Sequence, residues 1–342
     1  MSSDLSATVD SVNLLAIPSS SSYFLFLVLT MSFRIARFIL SAALLAGLMP
    51  WAQAAASAFT YRIPIPGLTV GASSASSSFG HAYISNWGDG TIAYCSISSG
   101  GAALTSCATA GSGFSRPRGV FLSGNFAYVL NWGDSTIRQC AVAADGTLSN
   151  CVTTGSGFNN PTDFVVSGSY AWISNAGAGV EVCSIQSSGG LSGCVSAGGS
   201  FSGPTGIAMG AGYLYATNWN WGTVSSCPVQ SNNTLGTCST ALSGVGNTDG
   251  ISVAGSAAFV VNNSGSVEGC AWNSSTGALS NCTSTGSGFN SPTGIRVANG
   301  YAYIPNSGLS TVSVCAVNGS ALSNCTQQGS ALSGPQAISL VP

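Results

Sequence analysis

The chain holds one histidine, His81, seven arginines and no lysine. Without lysine there is no Schiff-base nucleophile, and a Ser-His-Asp triad would have to recruit His81. No Gly-x-Ser-x-Gly elbow accompanies it. His81 also stands where equivalent segments carry Phe126, Tyr170, Tyr213 and Tyr301, which reads as packing and not proton transfer. A P-loop, a dinucleotide fingerprint and Cys-x-x-Cys are all missing. What remains is a set of aromatic and charged residues in short polar turns. Trp87 and Asp89, Trp132 and Asp134, and Trp219 and Trp221 follow an asparagine, while Arg116, Arg118 and Asp163 sit in Pro-containing connections. Indole planes stack on sugar rings or anchor protein partners, and fixed charges set orientation, so these nine residues are the candidate ligand-binding set. The competing reading is structural: Asn and Asp before glycine form turns, and a recurring tryptophan packs on its neighbour. Arg116 and Arg118 stand out because they break the Pro-Thr-Gly consensus, whereas the corresponding turns of other segments are uncharged or acidic.

Such turns need a scaffold, and composition limits which one. Seven basic against nine acidic residues give no electrostatic footprint for nucleic acid. A hydrophobic content of 45% with 5% charged residues is unlike a disordered chain. Forty-five glycines among abundant Ser, Thr and Asn point to a folded, turn-rich, all-β protein.

From Met31 the sequence runs through Arg34 and Arg37, an apolar stretch from Phe38 to Leu48, and Ala52-Gln53-Ala54. This is the three-part layout of a secretory signal, predicting cleavage after Ala54 and a periplasmic or extracellular protein. The apolar stretch is far shorter than the ~20 residues that span a bilayer, so no stable membrane span is expected after cleavage. Because the signal begins with its own methionine, Met31 is the expected start. The expected organisation is an extension and signal over 1–54, an N-terminal segment over 55–78 and one domain over 79–342. The mature chain would carry five arginines and seven acids, leaving solubility to hydroxyls and amides.

All twelve cysteines follow the signal, in six close pairs: Cys95/Cys107, Cys140/Cys151, Cys183/Cys194, Cys227/Cys238, Cys270/Cys282 and Cys315/Cys325. The first members are 45, 43, 44, 43 and 45 residues apart, so one supersecondary unit is used six times. Nine to eleven intervening residues and a single histidine do not suit zinc, whereas disulfides suit an exported protein. Each unit repeats four segments. An apolar strand follows a Pro-Thr-Gly-like turn, and an aromatic strand ends at asparagine (Asn86, Asn131, Asn175, Asn218, Asn262, Asn306). The third segment holds the first cysteine and the fourth the second. Four short strands per unit match the blade of a β-propeller. One disulfide would staple the outer two strands of each blade, its cysteines opposite each other as cross-strand neighbours of one ladder. Six blades are expected, with Ala337 to Val341 completing the first as a C-terminal clasp. The alternatives draw that strand from Leu68 to Val70 or Phe59 to Ile65, or add a seventh, irregular blade.

The turns Ala-Tyr-Ile-Ser-Asn-Trp-Gly (82–88), Ala-Tyr-Val-Leu-Asn-Trp-Gly (127–133) and Tyr-Ala-Thr-Asn-Trp (215–219), with Pro-Thr-Gly-Ile at 204–207 and 292–295, resemble YVTN-type propeller repeats, akin to lactonase-like and NHL-type propellers. The resemblance spans about residues 78–342, and the cysteine pair in every blade departs from that pattern. It implies either a binding propeller or a lactonase-like hydrolase with a carboxylate-held metal in its channel. A Glu/Asn/Asp metal set does not map onto the sequence, since Glu181 and Glu268 fall in third strands and read as outer-strand surface residues. The expectation is therefore a cofactor-free binding module for a glycan or an envelope protein. The alternatives are the hydrolase and a self-associating surface protein.

Overall fold

The computed structural model describes residues 80–329 and 332–341 in full, together with the backbone of 9–19 and 22–31. Val9–Ser19 and Ser22–Met31 form an antiparallel hairpin of their own. The signal beyond Met31, its cleavage point, the 55–78 segment and the alternative closing strands lie outside the described residues. No helix among the described residues is long and apolar enough to cross a membrane.

The remaining strands form six four-stranded antiparallel sheets, the blades of a β-propeller. Blade 1 is assembled from both ends of the domain. Its innermost strand, Pro335–Val341, pairs with His81–Asn86, which is followed by Thr91–Ile97 and Leu104–Gly111. Ile338 lies opposite Ile84 and Leu340 opposite Ala82, so the clasp expected from the sequence closes a ring of six.

The second strand of each blade is buried almost throughout, as in Ala127-Tyr128-Val129-Leu130. It is covered on both faces by neighbouring blades, which explains its continuous apolar run in place of alternation. The core is accordingly six clusters, one at each blade-to-blade interface. At the centre of these interfaces stand Tyr83, Tyr128, Trp172, Tyr215, Phe259 and Tyr303, all at one register position and all fully buried. Four of them also lock the next blade. The hydroxyls of Tyr83, Tyr128, Tyr215 and Tyr303 donate to the carbonyls of Gly146, Gly189, Gly277 and Gly101 at 2.6–2.9 Å.

The recurring Pro-Thr-Gly is explained at the axis. Thr162, Thr205 and Thr293 each donate a hydroxyl hydrogen bond to a main-chain carbonyl of the next blade, at Pro204, Thr248 and Pro335. The following glycine permits that approach: a Cβ on Gly206 would lie 2.4 Å from the Asp249 carbonyl oxygen.

All six expected disulfides are formed: Cys95–Cys107, Cys140–Cys151, Cys183–Cys194, Cys227–Cys238, Cys270–Cys282 and Cys315–Cys325, with Cα–Cα distances of 4.0–4.1 Å. Their strand placement corrects the expectation of plain cross-strand neighbours. Cys107, Cys151, Cys194, Cys282 and Cys325 do not pair one-to-one with their partners, because the ladder slips by one residue at each. In blade 2 the slip falls between Gln139 and Ala141, so Asn150 and Cys151 together face Cys140. Asn150 has φ 51° there, and Ser106, Gly193, Asn281 and Asn324 precede their cysteines in the same left-handed conformation. Each is a β-bulge fixed by a covalent staple. Cys238 departs further: it lies outside the fourth strand of blade 4, immediately before Ser239–Ser243. The two ends of each bridge also differ in exposure. The first cysteines are fully buried in the blade interfaces, whereas Cys107, Cys151, Cys194, Cys238, Cys282 and Cys325 are only half-buried, on the outer rim.

The fourth strands contain no charged residue. Bulges therefore perform the edge protection that lysines provide elsewhere, by interrupting a flat ladder another chain could join.

Candidate functional site

The asparagine ending each second strand, buried in every blade but blade 5, builds the loop face. Asn86, Asn131, Asn175, Asn218 and Asn306 accept, through Oδ1, the N–H of Ser333, Ser115, Asn159, Ser202 and Asn290 in the preceding connection, at 3.1–3.2 Å. Main-chain bonds such as Trp132 N–H to Arg116 O and Trp219 N–H to Gly203 O add a second tie. The turns and connections thus share one face on a rigid support.

Three candidate residues come together between blades 1 and 2. The rings of Trp87 and Trp132 are 5.2 Å apart, tilted by 50°. The Arg116 guanidinium lies 5.7 Å from the Trp87 ring centre, in cation–π range, with the arginine itself exposed. The two indoles are half-buried, so they both support the blade interface and present an edge to solvent. Asp89 and Asp134 are exposed but occupied locally. Each accepts from the N–H and hydroxyl of a threonine two residues on, Thr91 or Thr136, at 2.7–3.2 Å. Trp219 and Trp221 lie in the blade 4 turn, where Trp221 is 54% exposed.

Arg118 and Asp163 separate from this group. They belong to the innermost strands Pro117–Ser123 and Pro161–Ser167 and reach into the axis. Arg118 Nη2 donates to Asp249 Oδ1 at 2.6 Å, and Arg296 Nη2 donates to Asp163 Oδ1 at 2.9 Å. Blades 2 and 5, and blades 3 and 6, stand opposite each other in a ring of six, so both ion pairs span the axis. The second Asp163 oxygen accepts the Ile207 N–H at 3.1 Å. Burial holds the Asp249 carboxyl above the usual carboxylate range, Arg118 opposing and Asp163 reinforcing the shift. The space left among these side chains is about 20 Å3, room for roughly one water.

That arrangement bears on the carboxylate-held metal. Both axial carboxylates are already matched by guanidinium groups, and no cluster of three His, Cys, Asp or Glu converges among the described residues. The residues present do not fit a resident divalent cation. Asp249 and Arg296 were not among the sequence candidates. The signal that finds them is spacing: the paired residues are 131 and 133 positions apart, about three repeats, or half a turn of the ring.

His81 stacks on Tyr94 with ring centres 4.7 Å apart, a packing role. Glu181 corrects its surface reading. It is partly buried with Oε2 unpartnered, and desolvation raises its pKa.

No protein-family model and no curated protein matches the chain. Among solved structures it is similar to a chain of the nidogen/laminin complex, at a TM-score of 0.63 and 12% identity, covering 77% of this chain and 98% of that one. A putative 6-phosphogluconolactonase from Bacteroides fragilis superposes at 0.57 and 12%, covering 77% and 98%. The periplasmic gluconolactonase of Pseudomonas aeruginosa superposes at 0.56 and 17%, covering 74% and 81%. At these identities the likeness shows the fold alone. Six disulfides match an extracellular or periplasmic setting.

Proposed function

We propose that the protein is an exported binding module that holds a glycan through the tryptophan-bearing turns of its loop face. In this reading it is a cysteine-paired variant of the YVTN-type propellers its turns resemble, directed outward by residues 31–54. The observation that carries the reading is the cluster of Trp87, Trp132 and Arg116, half-exposed aromatic planes with one cation on a face tied down at every blade. Stacking surfaces held rigid before the ligand arrives lose little entropy on binding. An axis filled by two ion pairs supports binding over turnover in the channel.

The test is retention of purified, oxidised protein on a glycan array and on immobilised envelope proteins. The reading expects retention on one glycan class, weakened about tenfold by Trp132→Ala or Arg116→Ala and restored in part by Trp132→Phe, with the thermal midpoint kept in the exposed-site variant Arg116→Ala. Capture by an envelope protein alone replaces the ligand class. Unchanged retention in both alanine variants removes the site.

A further inference from the structure

Blade 3 departs from the tryptophan-bearing turns of blades 1, 2 and 4, as blade 5 also does with Asn263 and a turn from Asn262 to Ser266. The blade 3 turn carries Ala176 where blades 1, 2 and 4 carry Trp87, Trp132 and Trp219. The turn is also one residue shorter: Asn175 pairs with Gly179, four positions on, whereas Asn86, Asn131 and Asn218 pair with Thr91, Thr136 and Thr223, five positions on. With the indole gone and the turn cut back, a groove of about 390 Å3 lies between this turn and the connection over 197–204. That volume falls in the ~300–1,000 Å3 range of small-molecule sites.

The walls are specific in what they lack. Gly177, Gly179, Ser196, Ser200, Ser202 and Phe201 contribute hydroxyls, main-chain groups and one aromatic ring, and no charged side chain lines the groove. Gly179, Gly198 and Gly199 have φ of 97°, 83° and 81°, a backbone path that glycine alone follows without strain. The frame is firm on both sides and carries tryptophan on both. Toward blade 2, Asn160 Nδ2 donates to the Trp132 carbonyl at 2.9 Å, and Ala176 N–H donates to the Asn160 carbonyl at 3.0 Å. Toward blade 4, Trp219 N–H donates to the Gly203 carbonyl at 3.1 Å, and Asn220 Nδ2 donates to Ser202 Oγ at 3.3 Å.

We infer that the blade 3 groove is a subsite for a neutral sugar unit of a glycan lying across the face between the Trp132 and Trp219 turns. An anionic ligand would find no cation in the walls, and a cationic one no carboxylate. An apolar anchor would lose the hydration of the serine hydroxyls and main-chain groups without replacing it. A neutral pyranose offers hydroxyls that pair with those groups and a C–H face for Phe201. The inference rests on the glycan reading and narrows it.

The experiment is calorimetric titration of the oxidised protein with soluble maltotetraose, cellotetraose and chitotetraose, and with a polygalacturonate oligomer as the acidic counterpart. Ala176→Trp restores the sister-blade indole and fills the groove; Ser200→Leu obstructs the opposite, exposed wall. One neutral series should bind the parent protein, and each variant should lower its affinity at least about tenfold with the thermal midpoint kept within about 2 °C. Two independent variants guard against one of them failing to fold. If Trp132→Ala weakens binding while both groove variants bind like the parent, the subsite is overturned and the glycan face stands. If only the acidic oligomer binds, the neutral subsite is again overturned alone. If neither class binds, both readings fall.

Discussion

The axial pair Arg118–Asp249 predicts an asymmetric response to removing either partner. Arg118→Met strands a carboxylate whose side chain is 4% exposed, whereas Asp249→Asn strands a guanidinium that is 20% exposed and can move toward water. Breaking a buried pair from one side costs about 3–5 kcal/mol, and the less exposed survivor should reach the upper part of that range. At roughly 2–4 °C per kcal/mol for a chain of this size class, Arg118→Met lowers the thermal midpoint by about 8–20 °C near neutral pH. The loss must shrink in acid. Burial already raises the Asp249 pKa, and without Arg118 it rises further, so the stranded carboxylate takes up a proton in the folded state before it would in the unfolded one. The folded state then binds the extra proton, and stability recovers as pH falls through the folded pKa. Asp249→Asn leaves an arginine that cannot deprotonate, so its penalty lacks that recovery. The double variant Arg118→Met/Asp249→Leu removes both charges and should lie within about 1–2 kcal/mol of the parent. Guanidinium unfolding followed by tryptophan fluorescence, with disulfides intact, measures all four proteins across the range from about pH 4 to about pH 8. Additive single effects, or an Arg118→Met penalty that is flat with pH, refute the coupled, buried pair.

Three further outcomes follow from the fold. Tyr83→Phe leaves the Gly146 carbonyl without its donor and should cost about 1 kcal/mol by denaturant midpoint; an unchanged midpoint shows that the hydroxyl contributes nothing to the interface. Burial pushes Tyr83 and Tyr303 up to about 12, so their contribution is complete below about pH 10 and is lost as pH rises toward 12, because the unfolded chain ionises first. Urea midpoints should therefore fall from about pH 9 to about pH 11 less steeply in Tyr83→Phe/Tyr303→Phe than in the parent, and equal slopes contradict it. Cys140→Ser/Cys151→Ser opens a loop of 11 residues and should cost about 3 kcal/mol on the chain-entropy model, read by thermal unfolding against the reduced and oxidised parent.

The ring was legible because its constraints recur. Cysteine pairs every 44 or so residues and an aromatic strand ending at asparagine appear in each blade, so six weak signals reinforce one another. The pairing of the cysteines was legible too, but the bulges beside them were not, since a single left-handed residue such as Asn150 leaves the spacing almost unchanged. The tryptophan turns could be read for the same reason as the ring: the residue after each asparagine belongs to a repeated turn. The axial ion pairs were hidden because each exists once and joins residues half a ring apart, and because Arg296 stands four residues past Pro292, whereas Asp163 stands two past Pro161. The groove was hidden for a different reason. It lies beside a turn that, like that of blade 5, has neither the indole nor the extra residue of blades 1, 2 and 4, and such a difference acquires meaning only when the neighbouring connection over 197–204 is known.

The distribution of charge ties these observations together. Of the eleven charged side chains between residues 80 and 341, four are locked in the axis and three acids serve their own turns, Asp89, Asp134 and Asp145, each through a threonine two residues on. Arg116 is thus a charge on the loop face with no ion-pair partner among the described residues, held beside two indoles. The outer edges have none and rely on bulges and disulfides to stay unpaired. A surface so nearly neutral gives little electrostatic steering, so on the proposed glycan reading recognition comes from shape, stacking and hydroxyl pairing on a preformed face. That is the chemistry a sugar offers and a highly charged partner does not. It predicts that ligand retention by this protein changes little between low and high salt, apart from whatever contact Arg116 makes.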